Sequence, residues 1–165
     1  MSGAVVWIPT MLVVALAMDG WAAFLHRFVW HGILWSIHRS HHEPRRGKFE
    51  RNDFLSALHA PAAIALILYG CRAQPSVLRE VVFGVGLGMT LFGLSYALVH
   101  DGFSHRRAPV RFLRRLPYLR AVAKAHAIHH QGRHGQAPFG FFLAPLWMPR
   151  RTEAIKSASS LPAQR

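Results

Sequence analysis

The chain has 165 residues, is 52% hydrophobic, and carries 20 Lys and Arg against 7 Asp and Glu, a formal net charge of +13. That length bounds it to one domain, and so apolar a composition beside so much positive charge argues against an ordinary soluble protein. The single cysteine, Cys71, excludes an intramolecular disulfide and any cysteine cage for zinc or iron–sulfur, so metal binding has to rest on histidine and carboxylate.

The first apolar stretch runs from Ala4 to Leu25, broken only by Asp19 and by Pro9 in its first turns. Roughly 20 mostly apolar residues span a bilayer. Met1 to Val5 lacks the basic start of a signal peptide, so the stretch is read as a retained membrane helix. Asp19 is a carboxylate at membrane depth, costly unless paired or functional, and a candidate for a place beside the site or the substrate. His26-x4-His31 and His38-x2-His41-His42 follow, then a turn over Glu43–Lys48 marked by Pro44 and Gly47. A second span, shorter and borderline, runs from Phe54 to about Cys71, with His59, read as structural, near its start.

Residues 72 to 80 form a tight turn, and a third span, Val81 to Val99, has no charged residue. Its Gly84, Gly86 and Gly88 lie inside a membrane run and not after a strand, which points to close helix packing of the small-xxx-small kind and away from a nucleotide loop. His100-x4-His105 comes next. Arg106 to Lys124 is basic and interrupted by Pro109 and Pro117; an interfacial helix there would dip Phe112, Leu113, Leu116 and Leu119 into the headgroup boundary. His126-x2-His129-His130 closes the pattern, with His134 a spare candidate ligand beyond it. Ala137 to Met148 is aromatic and too short to span, so it is expected as a re-entrant or interfacial lid or as a membrane anchor. Residues 1–148 are expected to form the domain and 149–165 a disordered basic tail.

On this layout eighteen of the twenty Lys and Arg share one face with all ten clustered histidines, and only Arg72 and Arg79 lie on the other. Such asymmetry marks the cytoplasmic side. The expected fold is therefore all-α: an integral membrane bundle of three to four spans with a histidine-rich cytoplasmic cap, in the cytoplasmic (inner) membrane. The basic segments suit anionic lipid headgroups better than nucleic acid, which the apolar spans disfavour.

Ten of the twelve histidines thus fall into a twice-repeated pair of spacings. Imidazole is a common metal ligand, and ten exceed the roughly six places around any one first-row ion, so they make first shells for two. On an α-helix, positions i, i+3 and i+4 share a face, which lets His38, His41 and His42 converge, as well as His126, His129 and His130. The adjacent members can reach different ions. Residues five apart sit about 140° apart on a regular helix, so each His-x4-His predicts a π-bulge or a helix end. Asp101, Glu43, Glu50 and Asp53 are carboxylates close enough to orient such ligands, or else solvated loop charges or partners for the many arginines. Asp19 and Asn52 are further candidates for the orienting role.

Four boxes in this order on membrane spans resemble the fatty acid hydroxylase superfamily of membrane di-iron oxygenases. Within it the chain is most similar to the short bacterial β-carotene 3-hydroxylases, through His26–His31, Trp35–Asp53, His100-Asp101-Gly102 with His105, Ala125–His130 and Phe139–Pro145. Asn52 and Asp53 close the second of these stretches. The resemblance implies two iron ions, dioxygen as co-substrate, and electrons from NAD(P)H through ferredoxin and its reductase. It implies hydroxylation of carbon 3 of β-ionone rings, taking a bilayer-dissolved carotenoid through β-cryptoxanthin to zeaxanthin, with Trp21, Phe24, Phe28, Trp30, Trp35 and the 139–142 aromatics as pocket walls. A carotene ketolase, a sterol or fatty-acyl hydroxylase or desaturase, or a non-catalytic metal-binding membrane protein are the alternatives.

Overall fold

The three apolar runs become the three long helices of the protein. A computed structural model describes residues 3–45, 47–131 and 137–148; His134 and the expected tail at 149–165 lie outside them. Helix α1 (Ala4–Phe24) passes directly into a π-helical segment, Leu25–Ile33, making one 30-residue helix that ends at a kink at Gly32 (φ −98°, ψ −114°). Helix α2 (Trp35–His42) is short and carries the second histidine box. Helices α3 (Asp53–Ala57) and α4 (Ala60–Arg72) form the second long element, with Pro61 in the first turn of α4, where its missing N–H removes no hydrogen bond. Helix α5 (Val77–Tyr96) starts at Ser76, whose hydroxyl accepts the Arg79 N–H at 3.1 Å, and runs on into a second π-helical segment, Ala97–Ser104. Among the described residues there are no strands, and three helices are long and apolar enough to cross a membrane.

Glycines set the packing of those helices. α5 lies between α1 and α4. A side chain at Gly84 would meet the Trp7 carbonyl at 2.7 Å, and one at Gly88 the Met11 carbonyl at 2.6 Å, so both bring α5 against the backbone of α1. Gly86, on the other face, meets the Ala63 carbonyl of α4 at 3.0 Å. The small-xxx-small expectation for Gly84 and Gly88 therefore holds, and the outward faces keep large apolar side chains such as Leu16, Ile64 and Leu94 exposed, as a lipid-facing surface requires.

The cap differs from expectation in two respects. Arg106 to Lys124 is not one interfacial helix: a 3-10 turn (Arg111–Arg115) precedes helix α6 (Pro117–His129), since Pro117 cannot continue a helix begun earlier. Leu113 and Leu119 turn inward to a core with Val99, Val122 and Phe141, leaving only Phe112 and Leu116 exposed to reach a membrane boundary. A thirteen-residue α6 is about 20 Å long, short of a bilayer core, so no fourth span forms among the described residues. The segment 137–148 folds back as a loop closed by a 3-10 turn (Ala144–Trp147), burying Phe141 while Trp147 stays 81% exposed.

Candidate metal centre

Both His-x4-His pairs sit in the π-helical segments, as their spacing predicts. There the hydrogen bonds run from i to i+5: Leu34 N–H to the Val29 carbonyl at 2.9 Å, and His105 N–H to the His100 carbonyl at 3.0 Å. Widening the turn stacks residues five apart. The rings of His26 and His31, and those of His100 and His105, are each 4.8 Å apart. α2 supplies His38, His41 and His42, and α6 supplies His126 and His129 with His130 at its C-terminal cap.

The ligand atoms gather into two groups. One contains His26, His31, His38, His42 and His129; the other contains His41, His105, His126 and His130, with atoms in each group within 4.8 Å of one another. His100 Nε2 lies 3.1 Å from His41 Nε2 and so adjoins the second group. Adjacent members of each His-His pair separate, His41 from His42 and His129 from His130, and the groups abut where the rings of His42 and His130 stack at 4.3 Å.

Whether metal fits is decided by the protons. His26 Nδ1 donates to the Phe139 carbonyl at 2.9 Å and His38 Nδ1 to Asn52 Oδ1 at 2.7 Å. His100 Nδ1 donates to Asp101 at 2.9 Å, and His41 Nδ1 faces Glu50 at 3.4 Å. A carbonyl, an amide oxygen and a carboxylate only accept, so the one proton of each neutral ring sits on Nδ1 and Nε2 is bare. Yet the bare nitrogens of His26 and His38 are 3.0 Å apart, and those of His41 and His100 3.1 Å. Lone pairs facing at that distance repel. A shared cation at the roughly 2.1 Å of a metal–imidazole bond turns the repulsion into ligation.

Protonation does not compete at neutral pH. Burial, reinforced by the neighbouring imidazoles, lowers His42 to about 2 and His130 to about 3; burial lowers His38 to about 4. His105, buried and next to Arg107 and Arg45, falls to about 4, and His41 and His126 are held well below the usual range by burial first. These rings are neutral donors, the form a metal needs.

The orienting side chains are only partly those the sequence nominates. Asn52 and Asp101 hold histidines directly, as does Glu50 at longer range. Asp53 touches no histidine: it receives Arg107 at 2.8 and 2.7 Å and the Glu50 N–H at 3.0 Å, and Arg107 in turn lies 3.5 Å from Asp101. Glu43 is an exposed partner of Arg39, away from the site. Asp19 is buried and accepts the N–H groups of Phe142 and Leu143 at 2.8 and 3.0 Å, pinning the 137–148 loop against α1 so that Phe139 meets His26. The lid reading thus fits Phe139 and Phe141, which cover the histidines from one side. Tyr96, stacked on His100 at 4.4 Å, and the Phe139 carbonyl escaped the sequence reading. A backbone oxygen 113 residues from its donor leaves no sequence signal.

A mostly apolar groove between α1, α3 and α5 is lined by Trp21, Trp30, His59, Met89, Phe92 and Tyr96. It shares Ala22, Trp30 and Tyr96 with a smaller cavity lined by His26 and His126, one histidine from each group. Those three shared residues stand between the groove and the two histidine groups. His59 accepts the Trp21 indole N–H at 3.0 Å on the wall of this groove. Of the other expected walls, Trp35 stacks on His31, while Phe24 and Phe28 face outward.

Comparison with known proteins agrees with this geometry. The family described as Fatty acid hydroxylase matches residues 11–147. The Arabidopsis thaliana protein named beta-carotene 3-hydroxylase 2, chloroplastic, is 45% identical over 131 residues, covering 79% of this chain and 43% of that protein. A beta-carotene 3-hydroxylase from Haematococcus lacustris is 42% identical over 151 residues, covering 87% of this chain and 47% of its own. The beta-carotene hydroxylase of the bacterium Pseudescherichia vulneris is 44% identical over 131 residues, 78% of this chain and 72% of that one. The chain thus spans less than half the length of the plant and algal relatives. No solved structure matches it.

Proposed function

The chain belongs to the fatty acid hydroxylase family, a family of di-iron oxygenases, and from that membership we propose that it is a membrane monooxygenase acting on carbon 3 of the β-ionone rings of β-carotene, by way of β-cryptoxanthin to zeaxanthin. The observation that carries the reading is the set of bare Nε2 atoms facing one another about 3 Å apart, each fixed by an acceptor on Nδ1.

We assign one iron to His26, His31, His38, His42 and His129 and the other to His41, His100, His105, His126 and His130. Bound there, the pair would supply the redox chemistry that turns dioxygen into an oxidant for an unactivated C–H bond. The protein's own part is to bind, orient and exclude water. Asn52, Asp101, Glu50 and the Phe139 carbonyl keep the ligand protons on Nδ1 and the rings in place. A hydrocarbon carotenoid dissolves in the bilayer, so the mostly apolar groove between α1, α3 and α5 is where its ring would approach, and Trp21, Trp30 and Phe92 offer flat apolar walls to it. Phe139 and Phe141, tied down through Asp19, close the opposite side and keep water from the centre.

Electrons come, in this reading, from NAD(P)H through ferredoxin and its reductase. The asymmetry of Lys and Arg supports, in the same reading, a histidine end on the cytoplasmic face of the inner membrane. Expression in a β-carotene-producing bacterium tests the reaction: zeaxanthin is the expected pigment, and canthaxanthin or unchanged β-carotene would overturn it.

A further inference from the structure

Behind the second histidine group lies a strongly charged open groove of about 1090 Å³. Arg106, Arg107, Arg111, Arg114 and Lys124 line it, and no carboxylate does. Arg107 is already engaged by Asp53 and Asp101. Arg106, Arg111, Arg114 and Lys124 are exposed and form no ion pair among the described residues. Unpaired cations lining one concavity form a strongly positive field, and such fields raise association rates with acidic partners.

The position of the groove is as informative as its charge. Gly102, Phe103 and Ser104, on its wall, belong to the π-helical segment between His100 and His105. Ala123, Lys124 and Ala127 are on α6 within three residues of His126. Its floor is therefore the reverse side of the backbone that carries three histidines of the second group. Arg106, the residue after His105, sits at φ 56°, a left-handed backbone that side chains other than glycine rarely adopt. The Arg107 N–H donating to the Asp101 carbonyl at 2.9 Å fixes that turn.

We propose that this groove is the docking surface for an acidic, soluble one-electron carrier protein that reduces the metal centre through the wall formed by Gly102–Ser104 and α6. The proposal rests on the hydroxylase reading above. Hydroxylation inserts one oxygen atom of dioxygen into the C–H bond and releases the other as water. That balance consumes two protons and two electrons that neither substrate nor dioxygen provides, and two single-electron visits of a reduced carrier supply them. An anionic lipid headgroup would satisfy the same charges. The carrier is preferred because only it gains from a floor made of the segments that bear His100, His105 and His126.

The test uses the full chain, loaded with iron in lipid nanodiscs, with NADPH, ferredoxin reductase and a plant-type [2Fe–2S] ferredoxin as the probe. R111E/R114E should raise the KM for ferredoxin tenfold or more and flatten its dependence on NaCl. Turnover driven by dithionite with methyl viologen, and iron content, should stay within twofold of the parent. Should that variant fail to retain iron, R111Q/R114Q is measured in its place, with a threefold or greater rise in KM expected. An unchanged KM for ferredoxin in a variant that keeps its iron overturns the proposal. So does a loss confined to binding of phosphatidylglycerol vesicles, which would make the groove a headgroup site. Absence of carotenoid hydroxylation by the parent chain under either reductant strikes instead at the hydroxylase reading itself.

Discussion

Asn52 shows how a single acceptor prepares a ligand: its Oδ1 takes the His38 Nδ1 proton at 2.7 Å, and its own N–H is fixed by the Ser40 hydroxyl at 3.1 Å. Removing such a partner typically costs 10–100-fold in metal affinity. Asn52→Leu should therefore lower iron affinity by about that factor, measured by iron titration, while Asn52→Asp keeps an acceptor and most of the affinity. His41→Ala takes away a proposed ligand outright and should abolish hydroxylation in the β-carotene-producing host; full activity would remove His41 from the site. All ten histidines were legible because their spacing repeats, Asp101 because it stands next to His100, and Asn52 because it falls in the Trp35–Asp53 stretch of the family resemblance. Asp19 was legible as an unusual carboxylate but not in its role, and Asp53 was legible as a partner for an arginine but not for which one. One holds a loop that begins more than a hundred residues later, and the other acts through Arg107. Only the tertiary fold brings either pair together.

At the scale of elements, the five-residue spacing is resolved by the two π-helical segments, which bring both His-x4-His pairs onto one side without breaking the long helices. Hydropathy located those helices but ended them early: the first extends to Ile33 and the third to Ser104, because the histidine-bearing turns continue the helix beyond the apolar run. The 106–124 segment was misread because its leucines look alike in sequence, and only packing against Val99 and Val122 separates Leu113 and Leu119 from Phe112 and Leu116. Helix contacts give a paired prediction. Gly88→Leu should lower the thermal midpoint, since its Cβ would sit 2.6 Å from the Met11 carbonyl of α1. Gly93→Ala, with nothing within 4 Å, should leave the midpoint unchanged or raise it through the roughly 1 kcal/mol better helix propensity of alanine. Equal effects of the two would contradict close packing of α1 on α5.

The whole molecule joins a lipid-embedded bundle to a basic cap around the buried imidazoles. That cap sets the pH response. His38, His105, His130 and His42 have values lowered by burial to about 4, 4, 3 and 2, whereas in the unfolded chain they take up protons near 6.5. The unfolded state then binds more protons wherever the pH lies between those limits. Stability of the iron-free protein is unaffected by these groups above about 6.5 and falls as the pH drops below it; denaturant midpoints at pH 7.5 and 5.0 check this. Bound iron, which requires the neutral rings, should be released only once the folded protein's own rings take up protons, from about pH 4 downward. What the whole account depends on is that the histidines form two metal sites and not one. Iron and zinc analysis, with Mössbauer spectroscopy, of the full chain purified from iron-57-grown cells measures this directly. Two irons per chain, both bound by nitrogen-rich ligands, is the predicted result; a single iron, or zinc in its place in a chain that still hydroxylates its substrate, would contradict it.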